Sequence, residues 1–204
     1  MILVDNIVSK SIFAGISVSV GAYLFLLNGN PILGCLLLSL GWIICEKLDG
    51  NLFTSKSCYV SESTEFRRLF LVLLLNIASA FLFGLLIRFL NSDITEYANA
   101  VIAFHLEIPI TSVIVGATIL GFLMPLICDS IKHDNYLVTL VCALGFMIVP
   151  YHCIIESFYY GASIFIYDNI LLSLAYLLTM TVFNFVGCNL YNIIVNKSLI
   201  RREV

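Results

Sequence analysis

Hydrophobic positions in this chain come in long blocks separated by short polar punctuation, with neither the alternation of a strand nor the stripe of a surface helix. The first apolar block runs from Ser11 to Leu27 and ends at Asn28-Gly29-Asn30-Pro31, residues that tolerate or impose non-helical backbone. Gly15, Ser17, Ser19 and Gly21 recur along it, and small residues at such spacings let a neighbouring helix approach closely. A second block starts at Pro31, meets Glu46, Lys47, Asp49 and the pair Gly50-Asn51, resumes at Leu52-Phe53 and runs out at Val60. Neither half reaches the roughly 20 apolar residues a spanning helix needs, so the spacing predicts one broken span. Non-helical backbone at membrane depth is tolerated only inside protein or beside a water-filled cavity, which places a pathway at this break.

The remaining blocks complete the pattern. Ser61 to Arg68 is polar; a third span covers Leu69 to Leu90 with Asn76 in its middle, and Asn91-Ser92-Asp93 ends it. An amphipathic stretch from Glu96 to Glu107 leads into a fourth span, Pro109 to Cys128, followed by a turn from Asp129 to Asn135. The fifth span begins at Tyr136, is interrupted at Val149-Pro150-Tyr151-His152 and resumes through Tyr167; proline removes a helix hydrogen bond and clashes with the preceding turn. Asp168-Asn169 turns the chain into a sixth span, Ile170 to Val195, with Asn184 inside it. Each half therefore holds one intact span, one broken span and one span with a buried asparagine. Three spans per half give the halves opposite orientations, and paired breaks point to a central site. The expected fold is an all-α membrane protein: one transmembrane domain over residues 1–204, with six helices in two inverted three-helix repeats, about 10–92 and 96–196, and helices 2 and 5 broken.

Composition agrees. Hydrophobic residues make up 61% of 204 and charged residues 11%, against about 25% charged in soluble domains, and mean hydropathy is +1.05. No basic run suggests nucleic acid. The N-terminus has neither the positive segment nor the cleavage site of a secretory signal and is read as retained. The seven cysteines are odd in number, scattered through apolar segments and without a C-x-x-C pair, which favours packing over disulfides or metal ligation. With both termini cytoplasmic, Lys10, Lys56, Arg67, Arg68, Lys132, Lys197, Arg201 and Arg202 fall inside, only Arg88 outside, and Lys47 in the break. The positive-inside rule then predicts a multi-pass protein of the inner or plasma membrane.

Four segments carry a resemblance. Ser39-Leu40-Gly41 leading to Leu52-Phe53-Thr54-Ser55, Asn76-Ile77-Ala78-Ser79-Ala80, His152-Cys153-Ile154-Ile155-Glu156 and Thr181-Val182-Phe183-Asn184-Phe185-Val186-Gly187 resemble, in order, the S-L-G…L-F-T-[GS], N-hydrophobic-x-G-[AS], H-S-x-A-N and T-x-G-N-[IL]-x-G segments of the formate/nitrite transporter family, which includes hydrosulfide channels. The resemblance implies an aquaporin-like fold, a homopentamer in the lipid bilayer with one pore per protomer, and passage of a small monovalent weak-acid anion or its conjugate acid. It implies that His152 is the central histidine, Thr54 the threonine beside it, and Leu38 and Trp42 apolar constrictions. The chain departs from the family pattern at Asn51 and Tyr151, where acids are usual, and at Glu156, where an asparagine is usual. The family's lysine near the fourth helix has no lysine to match it, His105 being nearest, and Glu46, Lys47 and Asp49 charge a break that is mostly apolar in the family.

The residues themselves support that chemistry. An ion stripped of water in an apolar pore carries a large penalty, which a weak acid escapes by taking a proton. An imidazole, with an ordinary pKa near 6.5, suits such a site, and His152 follows Pro150 at the start of a half-helix whose positive end favours an anion. His152, Thr54, Leu38, Trp42, Asn51, Glu156 and His105 are the candidate pore residues. Asn76 and Asn184 are expected to tie helices together and cap the broken ones. A lone histidine in an apolar span is also commonly a hydrogen-bonded packing residue, and His105 can equally sit at the membrane interface. His152 and Glu156 stand one helical turn apart, a spacing that holds a metal when a third ligand is present; none is evident, and neither a cofactor nor an enzyme activity is expected. Two alternatives stay open: a pore of the same fold for a neutral solute or weak base, motivated by Glu156, and a membrane-embedded metalloenzyme using His152, Glu156 and His105.

Overall fold

The computed structural model describes residues 2–59, 63–164 and 169–200, which are helical almost throughout, with no strand among the described residues. The expected span ends Val60 and Tyr167, the linker residues Ser61 and Glu62, the turn residue Asp168 and the basic Arg201 and Arg202 lie outside them, as does the side chain of Lys197. The elements are α1 (Ile2–Leu27), α2 (Pro31–Lys47), α3 (Phe53–Lys56) with a 3-10 turn Ser57–Tyr59, α4 (Ser63–Leu90), α5 (Ser92–Glu107), α6 (Ile110–Lys132), α7 (Tyr136–Leu144) with a 3-10 turn Gly145–Met147, α8 (Cys153–Ala162) and α9 (Ile170–Ile200). Within the described residues α1, α4, α6 and α9 are long and apolar enough to cross a membrane.

Local chemistry sets the boundaries. Asn30 caps α2, its side chain accepting from the N–H groups of Ile32 and Leu33, with Pro31 at the first helical position. Asn91 caps α5 by accepting from Asp93, so this helix starts four residues before the amphipathic run. Helices α1 and α4 begin earlier than their apolar blocks, because an apolar block marks the stretch that lipid covers and the helix continues beyond it through Asp5–Lys10 and Thr64–Arg68. The buried face of α5, Ile94, Ala98, Ile102 and His105, rests on α8.

The two interruptions are built alike. In the first, Asn76 of α4 donates from Nδ2 to the carbonyls of Ser11 (2.7 Å) and Asn51 (3.0 Å) and accepts on Oδ1 from the N–H of Phe53 (2.8 Å). In the second, Asn184 of α9 donates to the carbonyls of Ala117 and Tyr151 (2.9 Å each) and accepts from the N–H of Cys153 (3.0 Å). Each asparagine thus satisfies the backbone that a helix break exposes. Proline alone does not make the second break: Pro125 lies inside α6 without ending it, whereas at Pro150 an asparagine takes up the freed groups. Half-helix α3 packs on α9, and half-helix α8 packs on α4. At the α4–α8 crossing Gly84 meets the Phe158 carbonyl and Gly161 meets the Phe81 carbonyl, contacts that leave no room for a Cβ.

Of the three charges expected inside the first break, Lys47 and Asp49 lie at the surface, while Glu46 sits on α2 with a buried side chain. Helix α2 runs on to Lys47, and the following turn, with Asp49 at φ 56°, is at the surface. Lys47 pairs with Asp134, the other left-handed residue, in the turn after α6, and Asp49 pairs with Lys10. The chain then dips back into the interior, where Leu52 to Ser55 are all buried. Lys47 therefore joins Lys10 and Lys132 at one end of the bundle, and the cause is simple: solvated ion pairs at a surface turn avoid the desolvation cost that mid-membrane charges carry.

Candidate pore site

The outside of the bundle is apolar, and a set of polar side chains is buried within an otherwise apolar interior. Leu82, Phe89, Val115, Leu171 and Leu178 are exposed on the long helices, while Thr54, Asn76, His152, Glu156 and Asn184 are at most 1% exposed. Ionisable groups are placed this way in a membrane bundle when they face its interior.

At the centre the starts of the two half-helices meet. His152 Nε2 and Thr54 Oγ1 are 3.2 Å apart across 98 residues of sequence. Asn76 fixes the N-terminus of α3, placing Thr54, and Asn184 fixes that of α8, whose flanking residue is His152. The Trp42 ring of α2 lies 6.1 Å from the His152 ring and 6.4 Å from Phe146, which in turn meets Phe25 edge-on at 5.9 Å. Leu38, one turn before Trp42, is fully buried. Trp42 lies against the imidazole, whose Nδ1 is buried and makes no hydrogen bond; Trp42 Nε1 is in the same condition. Cys188 of α9 donates its thiol to the Thr54 carbonyl at 3.2 Å.

A second polar group sits beside this centre. His105 Nδ1 of α5 is 2.9 Å from Glu156 Oε2 of α8, with both side chains at 3% exposure or less. The His105 ring lies 5.7 Å from that of Tyr151. His105 and Tyr159 line a pocket of about 360 Å³ whose walls include Phe25, Phe104, Phe146 and Pro150. A third group lies near the end of α2: Glu46, with its side chain 3% exposed, has Lys132 Nζ at 4.0 Å.

The structure thus brings His152 and Thr54 together, with Trp42 against the histidine, and joins His105 to Glu156. It does not bring Asn51 to them. The Asn51 backbone donates to the Lys10 carbonyl (3.1 Å) and accepts from Asn76, and the residue lines a separate pocket of about 250 Å³ with Ile7, Lys56, Glu65 and Arg68. Asn51, two residues before α3, thus has its carbonyl taken up by α4 and its N–H by α1. His152 and Glu156 also have different partners, and no three His, Cys, Asp or Glu side chains among the described residues converge as metal ligands. Tyr159, Phe146 and the burial of Glu46 were not anticipated; Tyr159 follows Glu156 by three residues, so its place on the same helix face was available from spacing.

No family model and no curated protein matches the chain. Solved structures do: a pentameric formate channel with formate bound matches at TM-score 0.79 and 19% identity over 96% of this chain and 96% of that one. A formate/nitrite-transporter family ion channel matches at TM-score 0.67 and 18% identity over 92% of this chain and 85% of that one. The chain has the fold of these channels over nearly its whole length, which with its apolar helices makes it an integral membrane protein.

Proposed function

We propose that this chain is a divergent formate/nitrite-type channel that passes a small monovalent weak-acid anion, such as formate, nitrite or hydrosulfide, across the centre as its conjugate acid. The contact between His152 and Thr54, each held by an asparagine-capped half-helix, is the observation that carries this reading. An anion against Trp42 and Leu38 has no water to replace its hydration shell, and a protonated acid needs none. The imidazole and the Thr54 hydroxyl offer that acid one donor and one acceptor beside the Trp42 ring.

The equivalent bonding of Asn76 and Asn184 supports two inverted three-helix repeats over about 10–92 and 96–196, hence six spans. Both termini are then cytoplasmic, in a plasma or inner membrane, with Lys10, Lys47 and Lys132 on the inner side. The exposed apolar faces of α4 and α9 suit a homopentamer in lipid. Uptake into liposomes tests the reading: formate, nitrite and hydrosulfide enter faster with the protein than without it, and His152→Phe removes the difference. Normal, pH-dependent formate uptake by that variant would refute the assignment of His152.

A further inference from the structure

Asn51, Lys56 and Arg68 meet in a cavity of about 250 Å³ that they line with Glu65, Leu69 and Val72, and none of the residues at the His152 centre belongs to its walls. Among the described residues neither Lys56 nor Arg68 has an ion-pair partner. Asn51 is held through its backbone alone, by the Lys10 carbonyl and the Asn76 amide, so its side-chain amide is left over. Two cations therefore face one acid, Glu65, across the cavity. Asp49, whose carboxyl Lys56 also influences, is paired with Lys10. The recess is net positive and has an amide donor to spare.

Depth and surroundings narrow what fills it. Arg68 is the last polar residue before the apolar block of α4 opens at Leu69, and Lys56 ends α3. Both cations thus stand where hydrocarbon gives way to headgroups, at the end of the bundle that holds Lys10, Lys47 and Lys132. Leu69 is also a wall of a second cavity, about 170 Å³, built with Phe53, Phe66, Phe70, Leu73 and Phe185. Phe66 and Phe70 are exposed on the outside of the bundle. A small free anion has use for the charged recess only. A molecule with an anionic head and a hydrocarbon tail uses both, and basic pockets between helices on the cytoplasmic side hold acidic lipid headgroups in this way.

We propose that Asn51, Lys56 and Arg68 bind the phosphate of an anionic phospholipid, whose hydrocarbon lies over Leu69 and the cleft of Phe66 and Phe70. The Arg68 guanidinium takes phosphate oxygens in pairs, Lys56 adds a point charge, and the Asn51 amide donates to a remaining oxygen. Lys56 closes the four-residue helix that carries Thr54, so bound lipid braces that helix at the end opposite the Asn76 bond to Phe53. The site stands whether or not the chain conducts formate.

Thermal unfolding of the full-length protein, stripped of lipid and held in detergent micelles, tests it. Added dioleoylphosphatidylglycerol is expected to raise Tm by about 2–4 °C, whereas dioleoylphosphatidylcholine, whose phosphate carries its own cation, leaves it unchanged. The readout is the difference between the two lipids within each variant, which separates a lost ligand from a lost fold. Lys56→Gln and Arg68→Gln each abolish that difference, and Arg68→Gln alone decides the matter if Lys56→Gln fails to fold. Arg67→Gln deletes the same charge one residue along, outside the cavity walls, and keeps the difference. An equal response to phosphatidylcholine, or an equal loss in Arg67→Gln, would overturn the proposal. So would a shift of the same size from glycerol 3-phosphate, which supplies the head without the hydrocarbon.

Discussion

Asn76 and Asn184 perform the same three-bond task in different halves of the chain: each donates to a carbonyl of the neighbouring long helix and to the residue two before a half-helix, and accepts from that half-helix's first N–H. Neither break would satisfy its backbone without them. Interhelical hydrogen bonds in membranes contribute about 0.6 to 1.7 kcal/mol each, so Asn76→Ala or Asn184→Ala is expected to lower stability by about 2 to 4 kcal/mol. Unfolding in mixed detergent micelles measures this; unchanged stability would mean that other groups take up the freed backbone.

Trp42 stands between His152 and Phe146 and is the bulkiest side chain at the centre. Trp42→Ala is expected to raise acetate uptake relative to formate while leaving the fold intact. The ratio of the two fluxes in liposomes is the readout, and an unchanged ratio would place the size limit elsewhere.

The crossing of α4 and α8 depends on two glycines. A methyl at Gly84 or Gly161 strikes backbone on the opposite helix, which cannot swing aside as a flexible side chain does. Gly84→Ala is expected to cost about 1 to 3 kcal/mol by overpacking and to shift α8 away from α4. A reduced melting temperature in detergent checks the first effect, and loss of formate uptake checks the second.

Acid should loosen the surface turns after α2 and α6. The Lys10 ammonium holds the Asp49 carboxyl below its ordinary range, and Lys47, with the Tyr136 hydroxyl, does so for Asp134. A carboxyl depressed in the folded state contributes stability above its unfolded pKa, about 3.9, and that contribution disappears as pH falls through the folded value. Because these pairs are exposed, their effect is small. Hydrogen exchange at Leu48–Gly50 and His133–Asn135 is expected to quicken below about pH 4 in wild type, and to be already fast at pH 7 in Asp49→Asn/Asp134→Asn.

Much of this architecture is legible in the sequence because membrane helices announce themselves by composition over twenty residues, and breaks by charge, glycine and proline. The interruptions at Lys47–Leu52 and Ile148–His152 stand out for that reason. Their depth does not: Lys47 and Asp49 look like charges buried in a broken span, and only the pairing of Lys47 with Asp134, 87 residues on, reveals a surface turn, whereas the Glu46 side chain is buried. The meeting of His105 with Glu156 is equally invisible, since no local periodicity connects residues 51 apart on helices α5 and α8. Asn51 shows the opposite error. Its place beside the Leu52-Phe53-Thr54 run suggests a pore residue, yet hydrogen bonds to Lys10 and Asn76 turn it toward another pocket.

Each capping asparagine is carried on a full-length helix, so a short segment is bolted to a strut that spans the whole bundle. If α4 leans, Phe53 and Thr54 travel with it; if α9 leans, Cys153 and His152 follow. Because α8 also packs on α4 and α3 on α9, each short segment is held by both struts, and the spacing between Thr54 and His152 follows from how all four sit together rather than from the give of any loop.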